Sequence, residues 1–184
     1  MSDSLVHLSQ QHEDLVRGEV TEWNHIAVSG NIFGIFRDYL KGKKCTPIPK
    51  GFRLHLDDAN RFTPDFMVVC DAEKIKPDGV YGAPDLIVEV LSHDTIQNDK
   101  VYKKNVYAHF GVKEYWIVDP SVKSLEVYHL SGSEFMLHGV CAFHKDHGLA
   151  QVAKGEQTMT VTQLKCSLFN DLDISLKDIF YRTF

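Results

Sequence analysis

Two acidic residues stand where the surrounding sequence asks for burial. Glu89 interrupts the run Leu86, Ile87, Val88, Val90, Leu91. That run has no alternation, so it reads as a strand covered on both faces. Asp65 opens the apolar segment "DFMVV", directly after Pro64. An ionised carboxylate in such surroundings costs several kcal/mol unless a lysine, a metal ion or a proton holds it. Glu22 falls on the line of an apolar helical stripe, and Lys103 falls within another. Taken singly, each has a plain reading. Asp at a strand start is a solvated turn residue, and a lysine on such a stripe is one whose ammonium reaches solvent. Taken together, they are four charges at packed positions, and buried charges cluster because each needs another. Three acids and a lysine in one cleft would make a divalent-metal site for hydrolysis. Mg²⁺ or Mn²⁺ would take carboxylates, waters and substrate phosphate. The lysine would assist an attacking water or stabilise negative charge on the phosphate.

The elements that must position these groups follow from periodicity. "EWNHIAVSGNIFGIFRDYLKG" reads as a helix capped near Thr21 and closed by Gly42, with Ile26, Phe33, Phe36 and Leu40 on one stripe. "KCTPIP" is a short extended piece limited by its prolines. "GFRLHL" and "PDFMVVCD" are strand-like, with "DDAN" as the turn between them. "LIVEVLS" is the buried strand. "TIQNDKVYKKNVYAHFG" is a second helix ending at Gly111. Its stripe runs through Tyr102, Val106, Tyr107 and Phe110, with Lys103 inside it, Lys100 and Lys104 to one side, and Asp99 one turn earlier. "KEYWIVD", "KSLEVYHL" and "SEFMLHGVCAF" are further strands, and "DISLKDIF" is a short closing helix. The order predicts an α/β (α+β) fold with a central mixed sheet flanked by helices.

The bulk numbers narrow the class. A chain of 184 residues, 43% hydrophobic and 24% charged, suits one domain, here taken as 1–184. A net charge of −5 and a pI near 6.0 give no basic signature for nucleic acid, although a local patch is compatible with both. The four cysteines, Cys45, Cys70, Cys141 and Cys166, form no CxxC, which fits reduced thiols and a cytoplasmic location. The beginning of the chain has no basic region followed by an apolar stretch, so no signal peptide is expected. No apolar run is long enough to predict a membrane span.

"PD" at Pro64–Asp65 followed after 24 residues by "EVL" at Glu89–Leu91 resembles the PD-(D/E)xK nuclease superfamily. More closely, "GAPDLIVEVLSHDT…NDKVYKKNVYAHFGVKEYWIVDP" is similar to the Uma-type restriction endonuclease family, formerly a domain of unknown function. The resemblance implies a restriction-endonuclease-like αβββαβ core with a metal site at the split end of the sheet. It implies Asp65 and Glu89 as metal carboxylates, joined by the backbone carbonyl of Val90. It places Glu22 as the acid supplied by the first helix, and Lys103 as the lysine moved from the superfamily position, here Leu91, onto the following helix. Asp99 takes a supporting role, orienting Lys103. Trp23 and His93 depart from the residues many relatives carry at these places. "PD" at Pro84–Asp85 lies too close to Glu89 to be the motif.

The expected function is metal-dependent hydrolysis of DNA phosphodiester bonds by a homodimer. The rival expectations are a catalytically weak module that binds DNA or a protein partner, and a hydrolase of another phosphate substrate. The HxxH at His144 and His147, the basic "KGKK" and the aromatics of "YWIVDP" read more simply as surface, helix end and core.

Overall fold

The structure is a computed structural model that describes residues 22–92, 98–143, 150–154, 157–160 and 163–184. Thr21, His93, His144 and His147 lie outside the described residues.

Helix α1 spans Trp23–Leu40, with Glu22 in extended conformation at its N-cap. It buries His25, Val28, Ile32, Phe36 and Leu40, spaced three and four apart. This corrects the expected stripe, since Ile26 is exposed and Phe33 only partly buried. Gly42 turns the chain away with φ 77°, a left-handed conformation that favours glycine.

Six short strands follow: β1 (Thr46–Pro49), β2 (Leu54–His55), β3 (Arg61–Phe62), β4 (Phe66–Val69), β5 (Ile75–Lys76) and β6 (Gly79–Tyr81). Strand β7 (Leu86–Val90) is buried throughout. A π-helical turn, Asn98–Lys103, runs into helix α2, Lys104–His109. Then come β8 (Glu114–Asp119), β9 (Ser124–Ser131), β10 (Glu134–Phe143), β11 (Ala150–Lys154), β12 (Gln157–Thr160), β13 (Gln163–Lys165), β14 (Asp173–Ser175) and helix α3 (Leu176–Ile179).

The main sheet has eight strands in the order β1-β4-β7-β8-β9-β10-β11-β12. Within this sheet, among the described strands, only β7 and β8 pair in parallel, and the π turn and α2 lie in the crossover between them. The helix and strands α1, β1, β4, β7, α2 and β8 thus form the expected αβββαβ core. Two short segments that read as extended join different sheets. "KCTPIP" supplies β1, the edge of the main sheet, with Pro47 and Pro49 on it. "GFRLHL" supplies β2, which leaves that sheet for a four-stranded one ordered β3-β2-β6-β5.

The sheet separates two apolar layers. On one side Val28, Ile32, Phe36 and Leu40 of α1 meet Phe66, Val68, Val88, Val90, Trp116 and Val118. The Phe36 ring lies 5.0 Å from Phe66 and 5.8 Å from Trp116. On the other side Tyr107 and Ala108 of α2 meet Met67, Ile87, Leu91, Tyr115 and Ile117. The aromatics of "YWIVD" are therefore core.

The cysteine expectation is corrected. Cys45 and Cys70 form a disulfide, while Cys141 and Cys166 are free and buried. The register explains the bond, because Thr46 pairs with Val69 and the next step sets Cys45 against Cys70. No described helix is long and apolar enough to cross a membrane.

Candidate active site

The register of the central strands brings the two acids together. Phe66 pairs with Val88, so one step further places Asp65 opposite Glu89. Opposed residues in antiparallel strands share a face. On β1, Pro49 pairs with Phe66, so Lys50 stands opposite Asp65. On the far side Glu89 pairs with Ile117, and Ile117 with Glu126. One row across the sheet therefore reads Lys50, Asp65, Glu89, Ile117, Glu126. Helix α2 and its π turn lie over this face.

Asp65 is 5% exposed and uses both oxygens. Its Oδ1 meets His25 Nε2 at 2.8 Å and Lys50 Nζ at 3.0 Å. Its Oδ2 accepts the Val90 backbone N–H at 2.9 Å. Burial alone would raise its pKa, but His25, Val90 N–H and Lys50 outweigh burial and hold it below the usual carboxylate value. Asp65 is thus a fixed anion.

Glu89 is 2% exposed. Its Oε1 accepts the Tyr107 hydroxyl at 2.8 Å and meets Lys103 Nζ at 3.1 Å. Burial, reinforced by the charges of Asp65 and Asp99, pushes its pKa up to about 7 despite Lys103 and Tyr107. Lys103 Nζ also meets Asp99 Oδ1 at 2.7 Å. Burial would lower the Lys103 pKa, but Glu89 and Asp99 raise it above the ordinary value, so the ammonium stays charged. Asp99, Lys103 and Tyr107 sit four residues apart on the sheet-facing side of the π turn and α2. This corrects the expected stripe, because Tyr102 is exposed and Val106 and Phe110 only partly buried.

The other two lysines of this helix are held elsewhere. Lys100 Nζ pairs with Glu126 Oε1 at 2.8 Å, and Lys104 Nζ lies 4.1 Å from the centre of the Tyr128 ring. Glu22 is exposed at the rim and lines a cleft with Asn24, His25, Leu91, Ser92 and Asp119. The structure thus forms two buried clusters on neighbouring strands, Asp65 with His25 and Lys50, and Glu89 with Lys103, Asp99 and Tyr107, and sets Glu22 at the rim of a cleft that His25 also lines. Asp85, by contrast, caps the sheet, accepting the Cys70 N–H at 2.7 Å and pairing with Lys113 at 2.7 Å. Lys43 of the "KGKK" run pairs with Asp171 at 3.5 Å.

His25, Lys50 and Tyr107 touch the two acids and were not anticipated as site residues. His25 had a legible signal, since it leads the buried series His25, Val28, Ile32, Phe36 once the helix is phased correctly. Lys50 had none, because its place depends on which strand β1 joins.

Among the described residues, no group of three or more His, Cys, Asp or Glu side chains is arranged to hold a metal ion unaided. Mg²⁺, however, is usually bound by one or two carboxylates with waters and substrate phosphate. Three buried acids, Asp65, Glu89 and Asp99, lie near the largely buried Lys103 and the half-exposed Lys50, and burial, with the Asp65 and Asp99 charges adding to it, raises the Glu89 pKa. The donor set thus fits a hard divalent cation beside Asp65 and Glu89.

The geometry invites comparison with known proteins. The chain resembles the crystal structure of a "putative nuclease belonging to DUF820" from Anabaena variabilis ATCC 29413, with a TM-score of 0.60 and 17% identity over 87% of this chain and 82% of that one. That likeness is one of fold. An uncharacterized protein of Synechocystis sp. (strain ATCC 27184 / PCC 6803 / Kazusa) is 29% identical over 108 residues, which are 58% of this chain and 57% of that protein. The match therefore spans little more than half the length of that relative. The model of the Uma2 family, described as "Putative restriction endonuclease", matches residues 4–161, taking in every residue of the row and both helices that frame it. With the αβββαβ core and that match together, the chain belongs to the Uma2 family.

Proposed function

We propose that the protein is a nuclease that hydrolyses DNA phosphodiester bonds with the help of Mg²⁺ or Mn²⁺. The observation that carries this reading is the pair of buried carboxylates, Asp65 and Glu89, opposed on one sheet face with Lys103 set against Glu89 at 3.1 Å. The Asp65 and Glu89 carboxylates and the Val90 carbonyl would hold the cation. When bound, it would supply Lewis-acid stabilisation of charge on the phosphate and a more acidic water.

The chain's own residues do the rest. His25 and the Val90 N–H fix the Asp65 carboxylate in one orientation. Tyr107 and Lys103 fix Glu89, and Asp99 holds the Lys103 ammonium in place. Lys103 is the preorganised positive group that favours negative charge developing at the reacting phosphate. Glu22, at the rim, faces the approach from the side of His25. Cleavage of both strands would be served by a homodimer, which sedimentation would detect.

The direct test is plasmid cleavage with Mg²⁺ or Mn²⁺ by the wild type and by Asp65→Ala. Cleavage lost with Asp65 supports the reading. A wild type that retards DNA but never cuts it supports the alternative of a catalytically weak binding module. That alternative is favoured by Leu91, 6% exposed, at the place where the superfamily carries its lysine.

A further inference from the structure

We propose that Lys50 is the residue that binds the substrate phosphate, while Lys103 remains inside the site; this rests on the nuclease reading above. The two lysines flank the acids from opposite sides and differ in freedom. The Lys103 side chain is 14% exposed and bridges Glu89 and Asp99, at 3.1 and 2.7 Å. Moving it outward would leave two buried carboxylates without their cation, which is strongly unfavourable. The Lys50 side chain is 44% exposed and meets a single carboxylate oxygen, Asp65 Oδ1.

Asp65 does not depend on Lys50. It keeps the His25 contact on Oδ1 and the Val90 N–H on Oδ2 when Lys50 turns away. The hydrogen-bonding rules also leave Lys50 with a spare donor. Lys50 Nζ meets Asp65 Oδ1 at 3.0 Å and lies 3.3 Å from His25 Nε2, so even with both contacts counted one of its three N–H groups is spare, and the side chain is open enough to turn it outward. The cross-sheet row puts this ammonium directly beside the paired acids, on the side of the sheet edge. An incoming phosphodiester, anionic and rich in acceptors, is the chemistry that matches it.

The experiment measures binding of a fluorescent DNA duplex in EDTA, so that cleavage does not intervene, across a salt titration. Lys50→Met should weaken binding about tenfold at low salt. It should also lower the slope of log K against log salt by about 0.9, the value for one phosphate contact on duplex DNA. Lys50→Arg should keep the slope, and so should Lys104→Met, whose ammonium lies over the Tyr128 ring. Lys50→Gln repeats the measurement if the methionine variant melts early. A folded Lys50→Met or Lys50→Gln with wild-type affinity and slope overturns the proposal while leaving the nuclease reading intact. A wild type that neither binds nor cuts DNA overturns both.

Discussion

Lys103 is the residue on which the two lysines' division of labour turns. Lys103→Met should lower single-turnover cleavage by a factor on the order of 10²–10³, as loss of one preorganised charge typically does. Lys100→Met and Lys104→Met should change it little, since those side chains are engaged at Glu126 and Tyr128. A Lys100→Met variant as impaired as Lys103→Met would contradict the assignment. Glu89 leads to a second expectation, in pH. Its folded pKa of about 7 lies above its ordinary value of 4.5. Between these values the folded state keeps a proton that the unfolded chain has released. Stability in EDTA should therefore fall as pH rises from 4.5 to about 7, and change no further through this group above that. In Glu89→Gln this component should vanish, which melts at a series of pH values would show. The chemistry of this site was partly legible, because Asp65, Glu89 and Lys103 each break an apolar pattern. His25 is legible once the first helix is phased correctly, whereas Lys50 breaks no pattern that could be read without the pairing of strands.

Helix α1 shows what periodicity conveys and what it misses. Its existence and end are plain from the apolar spacing and Gly42, but that spacing puts Ile26 and Phe33 in the stripe, which the fold does not. The buried set includes a histidine and a valine instead, His25 and Val28, while Ile26 is half exposed. A hydrophobicity pattern cannot know that the histidine has an aspartate to bind. The phase is testable by stability. Phe36→Ala, in the middle of the contact with Phe66 and Trp116, should cost about 3–5 kcal/mol. Ile26→Ala should stay within about 0.5 kcal/mol. Urea unfolding of both variants measures this, and equal losses would contradict the observed phase. The π turn is a similar case. A helix was foreseen over "TIQNDKVYKKNVYAHFG", but not that its first described turn would be wider than an α-helix.

At the scale of the molecule, the order of elements was readable and the pairing was not. Runs of apolar residues announce strands. They do not say that "KCTPIP" joins the main sheet while "GFRLHL" leaves it, because that depends on contacts far apart in sequence. The same limit hid the Cys45–Cys70 bond, which closes a separation of 25 residues. By the loop-entropy argument it should contribute about 3 kcal/mol. Cys45→Ser, or reduction of the wild type, should lower the urea midpoint accordingly, and an unchanged midpoint would show that β1 is held without it.

The prolines of β1 bear on assembly. The main sheet ends at this strand, and a bare sheet edge is an open template for another strand. Pro47 and Pro49 alternate with Thr46 and Ile48 along it, and a proline has no N–H to offer. Residues 47 and 49 turn their backbones to the same margin of the strand, and that margin offers no N–H at either position. The prolines weaken strand addition between two copies at this edge, while the opposite edge of the sheet is β12. The margin beside Lys50 then stays clear for a ligand.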